Sequence, residues 1–213
     1  MMLNEVAGIK IPDSKLAKDA QDILRENGND LLWNHSNRVF LFSAIKGKEA
    51  NKKFDLELLY ISALFHDLGL TKEYSSPDLR FEVDGANAAR SFLQQYQVPE
   101  ESIRLVWDAI ALHTTVGIAE HKESEVSLLN SGISLDVIGK GFEQFPAELR
   151  EEIVQAFPRN NFKQDIIPAF YEGFKHKPET TYGNMNADVV KFFEPNYKQK
   201  NFCECILHSP WKN

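Results

Sequence analysis

A histidine and an aspartate stand side by side in ALFHDLGL, residues 63–70, where every other residue is apolar or glycine. The segment LELLYISALF, which leads into the pair, has almost no polar face, so the helix that it predicts is buried on all sides. A carboxylate in such surroundings costs several kcal/mol unless a positive charge lies against it. Asp67 therefore needs either a salt-bridge partner or a metal ion.

More polar side chains occupy apolar faces of other segments. In LLWNHSNRVFLF, residues 31–42, His35 and Arg38 lie on the same predicted helix face as leucine, valine and phenylalanine. His113 ends the apolar face of the predicted helix that precedes it, and Asp136 is the only charge in ISLDVI. One inward histidine is normally explained by a hydrogen bond to a backbone carbonyl.

A shared metal ion would satisfy the whole set at once. Otherwise each buried charge or imidazole needs a partner of its own. Imidazole nitrogen and carboxylate oxygen form the ligand set of Zn, Fe, Mn or Ni, and the sequence does not choose among these metals. We therefore expect one divalent transition metal, close to His35, His66, Asp67, His113 and Asp136.

The ligand pair itself requires a particular local structure. Neighbouring residues on a helix point about 100° apart, so His66 and Asp67 can share an ion most easily where the helix ends. Gly69 follows the pair and predicts such an end, as a left-handed cap. Helical spacing alone does not predict a shared ion here.

Helical periodicity predicts an all-α protein, a single-domain helical bundle. The predicted helices cover residues 13–27, 30–46, 55–68, 83–97, 100–115, 147–157 and 161–176. ISLDVI fits either a strand or a helix, while Pro99 followed by two glutamates predicts a helix start. We expect three parts: an N-terminal helical segment at 1–28, a core at 29–145, and a C-terminal helical extension at 146–213 packed on the core.

The composition indicates a globular protein without a nucleic-acid or membrane role. The 213 residues carry a formal net charge of -7, spread along the chain, which disfavours binding to a phosphate backbone. No segment is long and apolar enough to span a bilayer, and the N-terminus lacks a signal-peptide pattern. Cys203 and Cys205 have no second pair nearby, which indicates reduced thiols. We expect a cytoplasmic protein with a small-molecule substrate, and leave homo-oligomerisation open.

The order His35, His66-Asp67, Asp136 resembles the H…HD…D signature of the HD-domain metal-dependent hydrolase superfamily. The resemblance covers residues 30–140 and is carried by NHSNRV around the first histidine and ALFHDLG around the pair. It implies an HD-type helical bundle in which His35, His66, Asp67 and Asp136 are the metal ligands. It also implies that a metal-activated water attacks the substrate.

A narrower resemblance lies in NHSNRVF, FEVDGANAARSFL and VWDAIALHTTVGI, which are similar to the cyanamide hydratase-type branch of HD proteins. The namesake of that branch adds water to a nitrile to give urea. The resemblance thus implies a hydrolase or a lyase acting on a small molecule. The alternatives are a nucleotide phosphohydrolase, of the phosphomonoesterase or dNTPase type, and a non-catalytic metal-stabilised module that binds a ligand.

The candidate catalytic residues each have a structural alternative. Asp67 is expected to bind the metal and also to orient or deprotonate the water. His113 is an additional ligand, a general acid or a core histidine. Glu82 and Asp84 open a helix rich in small residues, where acidic groups favour the helix dipole. Gly85 and the alanines after it would let this helix pack closely and bring both acids to the pocket as catalytic groups.

Three cations are candidates for substrate binding. Arg38 is either the partner of a buried carboxylate, Asp67 or Glu82, or an anion binder. Lys72 and Arg80 follow the HD pair and are either surface charges or groups that face a substrate phosphate. A phosphohydrolase needs several converging cations, and so few are available that the sequence favours a small uncharged substrate.

Two polar segments follow candidate site residues directly. TKEYSSPDLRF, residues 71–81, comes after the HD pair, and TVGIAEHKES, residues 115–124, comes after His113. Polar loops in such positions often form the rim or lid of a pocket. We expect both loops to close the pocket, with His121 in the second loop exposed.

Overall fold

The computed structural model describes residues 4–181, 183, 185–194 and 196–212. In this part of the chain α-helices dominate, and a single antiparallel hairpin of two-residue strands precedes them. The elements are β1 (Glu5–Val6), β2 (Ile9–Lys10), α1 (Lys15–Asn27), α2 (Asp30–Glu49), α3 (Leu56–Phe65), α4 (Phe81–Gln95), α5 (Glu100–Ala111), α6 (Ser124–Ile138), α7 (Ala147–Ala156), α8 (Phe162–Phe174), α9 (Met185–Phe193) and α10 (Phe202–Leu207). The predicted all-α class is confirmed.

Every segment predicted as a helix contains one, with ends that differ by a few residues. ISLDVI forms the last part of α6, so the ambiguous segment is helical. Pro99 precedes α5, and two glutamates lie in its first turn as predicted. The sequence pattern does not reveal α9, α10 or the hairpin, because elements this short show little periodicity. The three-part division of the chain stays a prediction.

Helix α2 runs through the interior of the bundle and packs against α3 and α6. It begins after Asn29, whose side chain accepts a hydrogen bond from the Leu32 N–H. Every residue from His35 to Ile45 is buried, so all faces of this part of the helix lie inside the protein. Polar side chains here must find partners within the fold.

The HD pair follows the end of a helix, as predicted, but Gly69 is not a left-handed cap. Helix α3 ends at Phe65, and the pair leads into a 3₁₀ turn at Leu68–Leu70. Gly69 lies inside that turn and is not among the glycines with positive φ. A Cβ at this position would collide with the carbonyl oxygen of Phe81. Glycine is needed here because α4 passes so close to the turn.

A second glycine confirms the close approach predicted for α4. A Cβ added at Gly85 would lie 2.7 Å from the Phe65 carbonyl oxygen, closer than real Cβ atoms come. The small residue therefore lets α4 pack directly on the end of α3. This contact brings the first turn of α4, which contains Glu82 and Asp84, towards the HD pair.

The segment after α8 is held to the bundle by a buried lysine. Lys177 donates a hydrogen bond to Asp84 Oδ2 at 2.6 Å and another to the Ser76 carbonyl oxygen at 3.1 Å. Its side chain is fully buried. The ion pair therefore joins the C-terminal part of the chain to α4 and to the loop at 71–80. None of the helices in the described part of the chain has the length and apolar character needed to cross a membrane.

Candidate metal centre

Three histidines converge on one carboxylate where α2, α3 and α5 meet. The Nε2 atoms of His35 and His66 lie 3.2 Å apart, and they lie 3.5 Å and 3.3 Å from Asp67 Oδ2. The Nε2 atom of His113, which follows α5, lies 3.7 Å from Asp67 Oδ1. All four side chains are buried. The sequence predicted each of these residues as part of one site, and the structure brings them together.

Each histidine has its outer ring nitrogen bound to an acceptor. Nδ1 of His66 contacts the Ala63 carbonyl oxygen at 2.7 Å, and Nδ1 of His113 contacts the Ile110 carbonyl oxygen at 2.7 Å. Nδ1 of His35 contacts a carboxylate, also at 2.7 Å. Because these oxygens only accept hydrogen bonds, each Nδ1 must carry the proton. In the neutral ring, Nε2 then presents a lone pair to the cluster, which is the arrangement of a metal-binding histidine.

No arginine or lysine in the described part of the chain forms an ion pair with the carboxylate at the centre of the cluster. Both carboxylate oxygens of Asp67 are buried, and no described residue donates a hydrogen bond to them. An ionised carboxylate facing imidazole lone pairs is unfavourable unless a cation lies among them. One ligand atom from each of His35, His66 and Asp67 lies within 4.8 Å of the others, close enough to share an ion. This donor set fits a divalent transition metal.

The pKa values of the metal-free cluster also show that Asp67 is most stable with a positive charge beside it. Burial favours a neutral Asp67, but its interactions with His66 and with the other two histidines together outweigh burial and hold the pKa of Asp67 well below its usual range. Burial also opposes protonation of His66, yet the charge of Asp67 raises the pKa of His66. Burial lowers the pKa of His35, and burial together with His66 lowers the pKa of His113 to about 4. A proton on His66 therefore supplies the positive charge when no metal is bound.

The comparison with known families agrees with this chemistry. The HD domain family matches residues 32–156, which is more than half of the chain. The chain belongs to the HD domain family. HD domains form a superfamily whose members are generally metal-dependent hydrolases. The match contains all four residues of the buried cluster.

Similarity to individual curated proteins is lower. The UPF0398 proteins of two Streptococcus pyogenes strains, NZ131 and Manfredo, are each 26% identical to this HD protein over 99 residues. The alignments cover 39% of this chain and 59% and 58% of the two relatives. This chain thus spans less than two thirds of the length of the curated relatives that it matches.

Asp136 of the HD domain lies behind His35 and does not join the cluster. Its Oδ2 atom is the acceptor for His35 Nδ1. Arg38 donates to both of its oxygens, at 2.8 Å and 2.9 Å, and Arg159 donates to Oδ1 at 2.6 Å. Burial favours the neutral carboxyl, but the two guanidinium charges hold the pKa of Asp136 well below its usual range. This position corrects the predicted ligand role, because Asp136 can orient His35 but faces away from the other ligands.

Arg38 is a structural residue in this HD domain. Its Nε and Nη2 atoms hold Asp136, and Nη1 donates to the carbonyl oxygens of Phe157 and Pro158 at 3.2 Å and 3.0 Å. The side chain is fully buried. All three nitrogens are engaged, so the contacts support the structural role that was the alternative, and contact of Arg38 with substrate stays a prediction. The expected carboxylate partner also differs: it is Asp136, and neither Asp67 nor Glu82.

The other two predicted substrate-binding cations lie at the surface. Lys72 is exposed. Arg80 has 48% of its side chain exposed, and its guanidinium is paired with Glu82 at 2.6 Å. Its pairing with Glu82 therefore places Arg80 at the edge of the site. Contact of Lys72 and Arg80 with substrate stays a prediction.

The two acidic residues of α4 separate into different environments. Glu82 Oε1 accepts hydrogen bonds from Arg80 and from the Thr114 hydroxyl, the latter at 2.5 Å. Burial favours its neutral form, but Arg80 and the charge of His113 lower the pKa of Glu82. Asp84 instead accepts from Lys177 and from the Ser76 N–H, at 2.6 Å and 3.0 Å. Glu82 thus borders the cluster, whereas Asp84 is a structural tie, which corrects its predicted catalytic role.

Two residues of this arrangement are not found from the sequence pattern. Arg159 and Lys177 are buried partners of Asp136 and Asp84, and each lies in a short polar stretch between helices. No apolar periodicity marks such positions. The only available signal is that two buried aspartates need cations, and Arg38 alone supplies too few.

Proposed function

We propose that this HD domain is a metal-dependent hydrolase or hydratase that acts on a small uncharged molecule, with a nitrile such as cyanamide as the first substrate to test. One observation carries the proposal: the unpaired, buried carboxylate of Asp67 lies among the Nε2 atoms of three histidines. A site of this kind binds a cation strongly only if the chain keeps the ligands deprotonated and oriented, and the outer hydrogen bonds do so.

His35, His66 and Asp67 would hold the metal, with His113 as a fourth ligand or as a hydrogen-bond acceptor beside it. When bound, a divalent cation in such a site supplies a Lewis acid that makes water nucleophilic near neutral pH. Zn, Fe, Mn and Ni all accept this donor set. The neutral state of His113 near pH 7, with its pKa of about 4, favours these roles over that of a general acid.

The chain's own groups divide the remaining work. Asp67 has two oxygens that face different histidines, so one could bind the cation while the other accepts a hydrogen bond from water and orients it towards the substrate. Glu82 is a positioning residue in this scheme, since its charge acts on His113 and it is anchored by Thr114. Loss of the Thr114 hydroxyl would loosen that anchor without changing any ligand.

An uncharged substrate is supported by the state of the nearby cations. Arg38 is engaged by Asp136, Lys177 by Asp84, and Arg80 by Glu82. Each of these three cations is thus already paired with a carboxylate. Phosphate charge would therefore be left largely unbalanced at the cluster, whereas a nitrile or amide carries no charge to neutralise. The resemblance to the cyanamide hydratase branch points to the same class of substrate.

A second candidate, a nucleotide phosphohydrolase, is favoured by Arg80 alone. Its side chain is half exposed and lies next to Glu82 at the border of the cluster. If the pair opened, the guanidinium would become available to a phosphate, with the exposed Lys72 on the same loop.

The deciding experiment compares substrates on protein loaded with each metal in turn. Cyanamide and small nitriles are assayed beside nucleoside mono- and triphosphates, with metal content measured in the same samples. We expect turnover of an uncharged substrate that survives in the double variant Lys72→Ala/Arg80→Ala. Nucleotide turnover that this variant loses would replace the first candidate with the second. Lys53→Ala/Arg104→Ala removes two other exposed cations and serves as the matched control.

A further inference from the structure

The buried charges around Asp136 do not balance. One carboxylate, Asp136, is bound by two guanidinium groups, those of Arg38 and Arg159. The histidine on its other side donates Nδ1–H to Asp136 and brings no second negative charge. The cluster therefore carries one positive charge in excess, in a place where water does not compensate it fully.

The excess charge is concentrated on one edge of Arg159. The side chain is 4% exposed, and Nη1 is its only nitrogen with a hydrogen-bond acceptor among the described residues. Nε and Nη2 have none. These two nitrogens form the side edge of a guanidinium, where two N–H bonds run parallel and match the two oxygens of a carboxylate or phosphate. Arg38 shows the same edge in use, since its Nε and Nη2 hold both oxygens of Asp136.

Aromatic rings and a cavity surround the guanidinium group of Arg159. Its guanidinium carbon lies 4.5 Å from the ring centroid of Phe162 and 4.5 Å from that of Trp211, so aromatic rings pack against it. Arg159 also lines a cavity of about 320 Å³ between the start of α2 and the start of α8. Asn34 and Asn160 add amide groups to the wall of this cavity. Its volume lies at the lower end of the range for small-molecule sites, about 300–1,000 Å³.

We propose that this cavity binds a small molecule through an oxyanion group, a carboxylate or a phosphate, held by the Nε and Nη2 atoms of Arg159. Both atoms are buried in this structure, so binding turns the Arg159 side chain towards the cavity that it lines. The site is separate from the metal centre, because Arg159 meets His35 through Asp136, on the ring edge opposite Nε2, and through the ring of Phe162, which packs against both. Arg159 itself lies outside the matched HD domain, which ends at residue 156, whereas Asn34 and Arg38 in the cavity wall lie within it. The proposal does not depend on the catalysed reaction.

Two exposed carboxylates set the strength of binding. Asp30 and Asp165 also line the cavity, and both would repel an incoming anion. Removing one of these charges should strengthen binding without disturbing the buried cluster. Asp165→Asn is therefore a gain-of-affinity variant, which complements the loss expected from Arg159→Lys. Lysine keeps the positive charge at this position but lacks the two parallel N–H bonds.

The test uses the full-length, metal-loaded protein and two probes, inorganic phosphate and acetate, titrated at constant ionic strength with chloride as the balancing anion. Binding is followed by the NMR signals of the Arg159 Nε–H and the Trp211 indole N–H, which report on this site rather than on the metal. We expect saturable shifts, at least tenfold weaker binding in Arg159→Lys and about threefold tighter binding in Asp165→Asn. The anion that binds more tightly identifies the oxyanion group.

Arg150→Lys is the matched control, because Arg150 also stacks on an aromatic ring, that of Phe142 at 3.7 Å, but does not line the cavity. The affinity of the Arg150→Lys variant for both anions should stay within twofold of the affinity of the parent protein. Shifts that do not saturate with either anion would overturn the proposal, as would equal affinity in Arg159→Lys. If that variant fails to fold, unchanged affinity in Asp165→Asn would overturn it on its own. Absence of anion binding would not contradict the proposed metal-dependent function, because neither NMR signal depends on turnover.

Discussion

The two edges of the His35 ring face buried aspartates in opposite situations. On the Nδ1 edge, Asp136 accepts hydrogen bonds from the ring and from two arginines. On the Nε2 edge, Asp67 is equally buried and receives no hydrogen bond from any described residue. Two arginines lie against Asp136, whereas among the described residues no arginine or lysine forms an ion pair with Asp67. In this fold the chain thus withholds donors from the carboxylate that we propose as a metal ligand and provides them to the carboxylate that anchors His35.

The largest effect should come from removing a ligand on the Nε2 edge. In His66→Ala we expect metal content to fall from about one ion per chain to near zero, with loss of turnover. The reason is that Asp67 and His35 would keep only part of the donor set, and three protein ligands are the usual minimum for such a site. Metal analysis of the purified variant is the measurement. His121→Ala, which removes an exposed histidine, should keep full occupancy. Full occupancy in His66→Ala would show that the metal lies elsewhere.

The second prediction concerns the opposite edge. Asp136→Asn would leave the guanidinium groups of Arg38 and Arg159 buried without a counter-charge, which should cost about 3–5 kcal/mol of unfolding free energy. The loss should be present with and without metal, because the defect lies in the structural cluster. Urea denaturation of both forms measures it. The same substitution at Asp67 should cost less in the metal-free protein, because its partner His66 can lose its proton, whereas the two guanidinium groups at Asp136 keep their charge. Equal losses of unfolding free energy at Asp136 and Asp67 would contradict the assignment of different roles to the two edges of the His35 ring.

The third prediction uses pH to examine the cluster without metal. The pKa of His113 falls from 6.5 to about 4 on folding, because of burial and the nearby His66. Between these values the unfolded chain binds more protons than the folded one, so stability declines as the pH is lowered through this range. The contribution of His113 should be about 2 kcal/mol between pH 7 and pH 5.

His66 acts in the opposite sense, because its pKa is raised and its protonation stabilises the folded state at low pH. Comparing the metal-free parent with His113→Gln separates the two contributions. The variant should lose less stability on acidification, as measured by urea denaturation at pH 7, 6 and 5. A variant that loses as much as the parent would mean that His113 is not held neutral by the cluster.

The sequence predicts the members of the site better than their roles. His35, His66, Asp67 and His113 are recognisable because each is polar on an otherwise apolar face, and the fold brings all four together. Asp136 carries the same signal, yet its role depends on Arg159, a residue from a loop between helices that no pattern connects to it. Which nitrogen of His35 an aspartate meets is decided by the packing of helices, and periodicity contains no such information.

Glycines illustrate the same limit on a smaller scale. Gly69 suggests a helix cap by its place after the HD pair, but it is needed because α4 passes beside it. A helix cap is predicted from neighbours in sequence alone. The contact that requires glycine at position 69 is instead with the carbonyl oxygen of Phe81, which follows a loop. Gly85 was assigned correctly because a row of small residues predicts a close helix contact wherever the partner lies.

The smallest predicted effect tests that close contact. Gly85→Ala places a Cβ 2.7 Å from the Phe65 carbonyl oxygen and 3.3 Å from that of His66, so α4 must move away from the HD pair. Overpacking of this kind costs about 1–3 kcal/mol, partly offset by the higher helix propensity of alanine. Gly183→Ala is the control, since a Cβ there meets no described atom within 4 Å. Because the first turn of α4 contains Glu82, the shift should also weaken its influence on His113 and reduce turnover several-fold while leaving metal content unchanged. Thermal melts, metal analysis and activity assays on the same samples distinguish a shift of α4 from the loss of a metal ligand. Loss of metal in Gly85→Ala would mean that the contact positions the ligands themselves. Unchanged stability would mean that α3 and α4 are less tightly packed than the structure indicates.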